Sequence, residues 1–317
     1  MTVFDVFNGD ADGICALHQL RLNEPTDSVL VTGVKRDIKL LDGMTAKQGD
    51  QVNVMDISLD KNRDGLLSLL QQGAEIIYFD HHFAGEIPQH ANLEVHIDTS
   101  ADTCSSLLVN EYLGGKYLPW AVTAAFGDNL FESAVKAAKP LNLNETQLES
   151  LKALGTYINY NGYGAALEDL HFKPADLYAA IKPYQDPFAF IQESSEYTTL
   201  EQGYLQDIQS AEVVKPALEK ESFAIFILPD AAWARRVSGV FANQLAQDHQ
   251  GRAHAILSEK SDGSYLVSVR APLNNKVGAD DVCRRFPSGG GRKAAAGIND
   301  LPKSDYDQFI AVMDEVF

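Results

Sequence analysis

The chain has 317 residues, a hydrophobic content of 45% and a formal net charge of −18. These values are typical of a soluble protein large enough for two domains with separate cores. The negative charge disfavours a protein that tracks long nucleic acid, because such surfaces are normally basic, so we expect no long duplex as a partner.

Two further classes are excluded by the residue pattern. No apolar run approaches the ~20 residues that a transmembrane helix needs, and the first residues lack the basic start and apolar core of a signal peptide. We therefore expect no membrane partner. The three cysteines lie far apart and form no CxxC pair, which argues against a disulfide framework or a zinc ribbon and favours a reducing cytoplasm.

The first hundred residues alternate short apolar segments with amphipathic ones. We predict strands over residues 2–7, 28–33, 51–56, 74–79 and 93–97. Helices are predicted over 13–22 and 60–71, and a third begins near 102. This rhythm predicts the α/β class with a doubly wound parallel sheet, whose strand order the sequence does not specify.

The remainder of the chain falls into a helical part and a second α/β part. From about residue 118 the pattern is helical, and a polar helix over 197–220 is typical of an element that bridges two cores. Strands and helices alternate again from residue 223. We therefore predict a catalytic metal-binding domain with a helical extension over 1–195, a linker helix over 196–221, and a smaller α/β domain over 222–317.

Acids and imidazoles stand where the predicted strands end. Asp10 and Asp12 follow the first strand, Asp56 ends the third, and Asp80-His81-His82 follows the fourth. In open parallel sheets these ends share one edge, where ligands bind. Crowded carboxylates repel one another, and a divalent cation relieves the repulsion. Oxygen ligands combined with imidazole nitrogen suit Mn²⁺, and two ions about 4 Å apart would activate water and hold a phosphoryl group.

Each of these features has a simpler explanation when it is taken alone. An Asp-x-Asp pair before a helix is mostly capping chemistry, and it has a metal role in roughly one case in five. A His-His pair is more often a surface or core feature than a ligand pair. Asp56 alone would be a turn residue, and Asp128 a solvated loop acid. The coincidence of residue type and position is what favours a metal site.

A basic, glycine-rich segment lies in the carboxyl-terminal part of this negatively charged chain. Gly289, Gly290 and Gly291 lie between Arg284-Arg285 and Arg292-Lys293. Glycine lets backbone N–H groups approach an anion closely. A triple glycine alone is more often a flexible loop, by roughly two to one, and basic residues at a helix end are commonly solvated. Their coincidence favours phosphate binding.

Four motifs together resemble the DHH phosphoesterase superfamily, which includes RecJ exonucleases, nanoRNases and cyclic-dinucleotide phosphodiesterases. They are Asn8-Gly9-Asp10-Ala11-Asp12-Gly13, Asp56-Ile57-Ser58, Asp80-His81-His82 and Gly127-Asp128. The segment over residues 288–297 resembles the glycine-rich signature of the DHHA1 domain that accompanies it. The resemblance spans almost the whole chain and implies an amino-terminal DHH domain, a helical linker and a DHHA1 domain.

The resemblance also implies roles for individual residues. One metal ion would be bound by Asp10 and Asp56, with Asn8 where the family usually has His or Asp. The other ion would be bound by Asp12, Asp56, His81 and Asp128. Asp80 would orient a ligand or the nucleophile, and His82 would lie near the scissile phosphate.

The substrate-binding residues implied by the resemblance lie in the second domain. They are Arg270, Gly289, Gly290, Gly291, Arg292 and Lys293. Arg292 stands where the family usually has His, so substrate selection is expected to differ, although a guanidinium still suits a phosphate. Asp98 falls in a further family segment near the site.

The sequence therefore predicts a phosphodiesterase that uses one or two Mn²⁺ ions, with Mg²⁺ as an alternative. It would hydrolyse short oligonucleotides or small nucleotide phosphoesters to nucleoside monophosphates through metal-activated water. Three alternatives stay open: a RecJ-like single-strand exonuclease, a cyclic-dinucleotide phosphodiesterase, and a nucleotide-binding regulator whose metal site is weakened by Asn8. RNA or DNA preference, direction of attack and the presence of a homodimer also stay open.

Overall fold

The computed structural model describes residues 1–317, and they divide into two units, Met1–Gln202 and Gly203–Phe317. The division falls within the helix Ser195–Glu212, which corresponds to the polar helix predicted over 197–220. The predicted end of this helix was wrong. The helix stops at Glu212, and Leu218–Glu219 is already a short strand.

Five strands form the sheet of the first unit: β1 Val3–Phe7, β2 Val29–Val31, β3 Gln51–Met55, β4 Glu75–Asp80 and β5 Leu93–Ile97. All four pairings are parallel, and the order is β2-β1-β3-β4-β5. The parallel sheet predicted from the sequence is confirmed. In this order the connections reverse direction between β1 and β3, and ligands of such sheets gather at that point.

Apolar residues cover both faces of this sheet. One cluster contains Phe7, Met55 and Phe79, and a second contains Val54 and Tyr78. Successive strand residues point to opposite faces, so strands buried on both sides have continuous apolar runs.

Nine helices begin within the first unit. They are α1 Ala11–Asn23, α2 Leu59–Gln71, α3 Ser105–Tyr112, α4 Leu118–Gly127, α5 Phe131–Ala138, α6 Glu145–Gly162, α7 Pro174–Ile181, α8 Pro187–Glu193 and α9 Ser195–Glu212.

The start of α1 differs from the prediction. The helix begins at Ala11, two residues before the predicted start, because Asp10 is its N-cap. The Asp10 carboxylate accepts hydrogen bonds from the backbone N–H groups of Asp12 and Gly13, at 3.0 and 3.1 Å. Within the Asp-x-Asp pair it is therefore Asp10 that caps the helix, and α1 begins directly at the acidic turn.

A buried ion pair joins β1 to α1. The Arg21 guanidinium donates to both carboxylate oxygens of Asp5, at 2.8 and 2.6 Å. The side chains are 5% and 0% exposed. Ser28 and Asn53 also donate to the Asp5 carboxylate, at 2.6 and 2.7 Å. Because four donors surround this carboxylate, its charge is compensated without water.

Replacing Arg21 with Met is expected to lower the free energy of unfolding by about 3 to 5 kcal/mol, because the Asp5 carboxylate stays buried without its cation. Urea denaturation monitored by circular dichroism measures the change. The control is Lys61→Met at a largely exposed position, for which we expect a change below about 0.5 kcal/mol. Equal unfolding midpoints for the two variants would contradict the assignment.

The second unit has a mixed six-stranded sheet and three helices. The strands are β6 Leu218–Glu219, β7 Phe223–Leu228, β8 Ala253–Glu259, β9 Ser264–Arg270, β10 Gly289–Arg292 and β11 Ala295–Pro302, in the order β10-β11-β9-β8-β7-β6. The helices are α10 Ala232–Asp248, α11 Ala279–Cys283 and α12 Tyr306–Val316. Only β7 and β8 are parallel, and α10 supplies the crossover that parallel strands require. The predicted smaller α/β domain is confirmed.

The triple glycine is a strand and not a loop. Gly289, Gly290 and Gly291 form most of β10, which pairs antiparallel with β11. Gly291 has φ of +139°, and a Cβ there would lie 2.5 Å from the Cα of Ala296. The glycines therefore allow an edge strand to approach its neighbour closely, which periodicity alone does not reveal. None of the helices in the molecule combines the length and apolar character required to cross a membrane.

Candidate metal centre

Three polar residues stand side by side at the carboxyl edge of the parallel sheet. The register aligns the ends of β1, β3 and β4, so Asn8, Asp56 and Asp80 follow at the same level. The backbone N–H of Asn8 donates to the carbonyl of Met55 at 3.2 Å, and that of Asp56 donates to the carbonyl of Phe79 at 2.9 Å. The hydrogen bonds between the strands thus extend to Asn8 and Asp56. These residues lie where the strand connections reverse direction, between β1 and β3.

Asp56 is held in an unusual backbone conformation. Its φ is +61°, a left-handed conformation that costs a non-glycine residue about 1 to 2 kcal/mol. The Ser105 hydroxyl donates to its carboxylate at 3.0 Å, and the residue is only 2% exposed. Strained backbone of this kind concentrates at functional sites, where the surroundings enforce it.

Close helix packing brings Asp128 to the same place. A Cβ on Gly127 would lie 2.4 Å from the Cβ of Ala11, and one on Gly155 would lie 2.1 Å from the carbonyl oxygen of Thr123. Helix α4 therefore packs directly against α1 and α6. Asp128 follows the last residue of α4, where the helix dipole disfavours an anion.

His81 directs one ring nitrogen at the acids. Its Nδ1 lies 3.1 Å from the carbonyl oxygen of Thr103. Because a carbonyl only accepts, Nδ1 carries the proton, and in the neutral ring the lone pair is on Nε2. This Nε2 lies 3.4 Å from Asp56 Oδ1, 3.7 Å from Asp128 Oδ2 and 4.0 Å from Asp12 Oδ2. A second hydrogen bond that fixes the ring is typical of a metal-binding histidine.

The crowding of negative charge is visible in the pKa values. Burial, followed by the charges of Asp12, Asp10, Asp128 and Asp80, raises the pKa of Asp56 well above its usual range. For Asp128, burial and the neighbouring acids raise the pKa to about 6, although nearby Lys35 and His81 oppose that change. Ionised acids in these positions therefore destabilise the protein unless a cation is near.

The donor set fits a divalent cation that prefers oxygen and imidazole ligands. Asp56, His81 and His82 each offer a ligand atom within 4.8 Å of the others. The amide oxygen of Asn8 is buried without a hydrogen-bond donor, which leaves a neutral ligand atom to be satisfied. Mn²⁺ is a suitable ion for this set.

Asp12 also has a structural role. Its two carboxylate oxygens accept hydrogen bonds from the backbone N–H groups of Ser105 and Ser106, both at 2.7 Å, at the start of α3. The capping explanation considered for Asp12 therefore applies, but to a helix distant in sequence. Each carboxylate oxygen has two lone pairs, so these bonds leave capacity for a further contact.

Asp80 contacts both histidines of the motif, and it contacts the ring of His82. Its Oδ1 accepts from the backbone N–H groups of His81 and His82 at 2.9 and 3.2 Å, and it lies 2.7 Å from His82 Nδ1. Burial lowers the pKa of His82, but the hydrogen bond and charge of Asp80, together with the charges of Asp10 and Asp12, outweigh burial and raise that pKa above its usual value.

Lys35 belongs to the same cluster, and the sequence analysis missed it. Its Nζ lies 2.6 Å from Asp10 Oδ2, 2.8 Å from Asn159 Oδ1 and 3.8 Å from Asp128 Oδ1. The available signal was its position shortly after the second strand, at the edge of the sheet that carries the acids. Asp98, by contrast, is exposed and accepts from Ser100.

The residues proposed for substrate binding lie on the sheet of the second unit, except for Lys293, which lies in the turn between β10 and β11. Arg292 stands opposite Ala295, which stands opposite Arg270, so the two arginines point to the same face. Arg270 donates to Asn243 and Ser268, at 2.7 and 2.8 Å. Arg292 and Lys293 are exposed and form no ion pair.

Two other basic residues of this segment are already paired within the second unit. Arg285 donates to both carboxylate oxygens of Glu315, at 2.5 and 2.8 Å, and Arg284 lies 3.4 Å from Asp280. The basic cluster expected from the sequence is therefore smaller in space than along the chain.

Comparison with known proteins supports the fold. Residues 220–317 match the family model of the DHHA1 domain, whereas no curated protein matches the chain. RecJ from Thermus thermophilus in complex with Mn²⁺ is 17% identical with a TM-score of 0.67, over 99% of this chain and 51% of that one. This chain thus spans about half the length of that relative.

Two further solved structures have the same fold. An exonuclease RecJ bound to manganese is 16% identical with a TM-score of 0.61, over 99% of this chain and 89% of that one. The pGpG-specific phosphodiesterase PggH from Vibrio cholerae is 13% identical with a TM-score of 0.58, over 100% and 99% of the two chains. The family match confirms the DHHA1 part of the resemblance, and the solved structures show that the chain shares their fold.

Proposed function

We propose that the chain, whose residues 220–317 match the DHHA1 family model, is a manganese-dependent phosphoesterase of the DHH/DHHA1 superfamily. It hydrolyses short oligonucleotides or small nucleotide phosphoesters to nucleoside monophosphates. The observation that carries the proposal is the approach of His81 Nε2 to Asp56 and Asp128, at 3.4 and 3.7 Å. The manganese in two solved structures of RecJ supports the choice of cofactor.

The proposed roles follow from the contacts of each side chain. The cation is held by Asp12, Asp56, His81 and Asp128. Of the three acids, Asp12 and Asp56 are buried. A bound Mn²⁺ ion lowers the pKa of a water molecule and neutralises charge on a phosphoryl group. The bond between His81 Nδ1 and Thr103 keeps the Nε2 lone pair directed at the acids.

His82 supplies a proton in the proposed reaction. Asp80 holds its Nδ1 and keeps its pKa raised, so the ring is more readily protonated than a free imidazole. The side chain is 44% exposed, which leaves Nε2 able to donate to a phosphoryl or leaving-group oxygen. General acid catalysis of this kind contributes roughly 10² to 10⁴-fold in rate.

The proposed substrate is short. A net charge of −18 opposes binding of many phosphates in a row. The proposed phosphate contacts on the second domain are Arg270, Gly289, Gly290, Gly291, Arg292 and Lys293. PggH, which has a similar fold, is a pGpG-specific phosphodiesterase, and this supports a dinucleotide as the first substrate to test.

We expect kcat/KM for a dinucleotide to exceed that for a long single-stranded DNA by about tenfold or more, because only a short strand avoids the acidic surface. Initial rates with Mn²⁺ and with Mg²⁺ measure this on pGpG, a short RNA, phosphoadenosine phosphate, a cyclic dinucleotide and single-stranded DNA. A reaction with a chelator is the control.

The outcomes separate the alternatives. Faster degradation of the long strand, together with a steep loss of binding in salt, would favour a RecJ-like exonuclease. Preferred turnover of the cyclic compound would favour a cyclic-dinucleotide phosphodiesterase. Nucleotide binding without manganese-dependent turnover would favour a regulator, a function to which the contact between Lys35 and Asp10 also points.

A further inference from the structure

Lys35 contributes a positive charge inside a cluster of acids. Its side chain is 21% exposed, and its backbone N–H donates to the carbonyl of Gly162 at 2.9 Å. This bond ties the segment after β2 to the end of α6. The lysine is therefore positioned by the backbone and does not reach the acids from a flexible surface loop.

The Lys35 ammonium has the surroundings of a bound cation. Two carboxylates, from Asp10 at 2.6 Å and Asp128 at 3.8 Å, face Nζ, and the amide oxygen of Asn159 accepts from it at 2.8 Å. The ring of Tyr163 has its centroid 5.2 Å from Nζ, within the range of a cation–π contact. An ammonium taken from water needs such compensation.

Both oxygens of Asp10 already have partners. Oδ1 accepts from the N–H groups of Asp12 and Gly13, and Oδ2 lies against Lys35. A metal ion at Oδ2 would lie close to the ammonium that contacts the same atom, and the repulsion between the two positive charges opposes its binding. The neighbouring Asn8 offers only a neutral amide, and its Nδ2 lies 3.4 Å from the Lys35 carbonyl oxygen. This side of the centre therefore combines a built-in cation with a weak metal ligand.

We infer that the Lys35 ammonium occupies the place of one of two divalent ions, so that the centre holds a single ion on the side of Asp56, His81 and Asp128. This inference rests on the proposed function of the same site. The ammonium keeps Asp10 compensated without metal, and it is an additional hydrogen-bond donor for a phosphoryl oxygen beside the ion.

Metal stoichiometry of the unmodified protein tests the inference directly. The chain is stripped with a chelator, titrated with Mn²⁺ by calorimetry, and examined by electron paramagnetic resonance. We expect one ion per chain and no signal from an exchange-coupled manganese pair. Two ions per chain would overturn the inference and leave the proposed function intact, whereas no bound ion would overturn the proposed function itself.

Removal of the ammonium supplies the second test. Lys35→Met, which keeps the length of the side chain, is expected to raise the stoichiometry from one Mn²⁺ ion to two, because Asp10 and Asp128 lose their cation. Adding Asn8→His to Lys35→Met should tighten the second site by about tenfold or more, since imidazole is a better ligand than an amide.

The matched control is Lys39→Met, at an exposed lysine of the same segment, for which one ion is expected. A folded Lys35→Met protein that still binds a single ion at millimolar Mn²⁺ would contradict the inference. Circular dichroism checks the fold, and if the variant does not fold, the stoichiometry of the unmodified chain decides the question.

Discussion

Asp56→Asn is expected to lower kcat/KM by at least about 10²-fold while making the metal-free protein more stable. The loss of activity follows from the position of Asp56, whose Oδ1 lies 3.4 Å from His81 Nε2. Replacing even an outer-shell partner of a metal site typically costs 10- to 100-fold, so an amide in place of a carboxylate that we propose as a direct ligand should cost more. Steady-state rates at a series of Mn²⁺ concentrations measure the loss of activity.

The expected gain in stability of the metal-free protein comes from removing a crowded negative charge. Burial and four neighbouring acids raise the pKa of Asp56, so its ionised form is unfavourable in the metal-free fold. Asparagine removes that charge, keeps an acceptor for the Ser105 hydroxyl, and tolerates φ of +61° better than most residues. We expect a gain on the order of 1 kcal/mol at neutral pH.

The pH dependence of this gain provides a further check. The folded pKa of Asp56 lies above its ordinary value of 3.8, so the folded protein binds the proton more tightly than the unfolded chain. Stability of the metal-free protein is therefore lost as the pH rises from about 3.8 through the raised pKa. Asp128, with a pKa of about 6, contributes with the same sign.

The stability difference between Asp56→Asn and the unmodified protein should accordingly widen between about pH 4.5 and about pH 7. Urea denaturation in the presence of a chelator measures it at both pH values. Asp42→Asn, at an exposed acid of the same domain, is the control and should show no such widening. A variant less stable than the unmodified protein at neutral pH would refute the account of crowded charge.

Asp80→Asn is expected to reduce kcat by about 10- to 100-fold and to lower the pKa of His82. Asp80 is fully buried, and its Oδ1 holds His82 Nδ1 at 2.7 Å. The amide keeps one acceptor but loses the charge that favours the protonated ring. The pH at which activity falls on the alkaline side should therefore move to lower values.

Nuclear magnetic resonance of the His82 ring in the metal-free protein tests the orientation role separately from turnover. Because the folded pKa of His82 lies above its ordinary value of 6.5, its contribution to stability is complete below 6.5 and is lost as the pH rises through the folded pKa. Asp80→Asn should remove that dependence.

The matched control for Asp80→Asn is Glu94→Gln. Glu94 accepts from His96 Nε2 at 2.7 Å on the exposed surface, so the substitution changes an Asp/Glu–His pair away from the acids. We expect it to leave the pH–rate profile unchanged. If the pKa of His82 is the same in Asp80→Asn as in the unmodified protein, the proposed role of Asp80 is wrong.

Much of the fold was predictable because its signals are local. The apolar run before Asp80 predicted a buried parallel strand, and residues 93–97 were predicted with the bounds that β5 has. The start of α6 is also determined locally, since the side chains of Asn144 and Gln147 form a reciprocal cap there. In each case the residues that determine the structure are near neighbours in the chain.

The candidate site was predictable only in part. The placement of Asp56, Asp80 and His81 at strand ends follows from local pattern, and their roles remain proposals. Strand order was not predictable, because pairing of β1 with β3 depends on which buried faces fit together. The strand formed by Gly289, Gly290 and Gly291 was missed, because its pairing with β11 is a matter of close backbone approach.

Strand ends and the polar groups that stand at them follow from local pattern, since burial constrains the residues that enter a sheet. Which charges meet depends instead on how distant segments pack together. Lys35 and Asn159 are 124 positions apart, and Arg285 and Glu315 are 30 apart. Electrostatic partners are set by distance in space, which depends on the packing of whole helices and leaves no periodic trace along the chain.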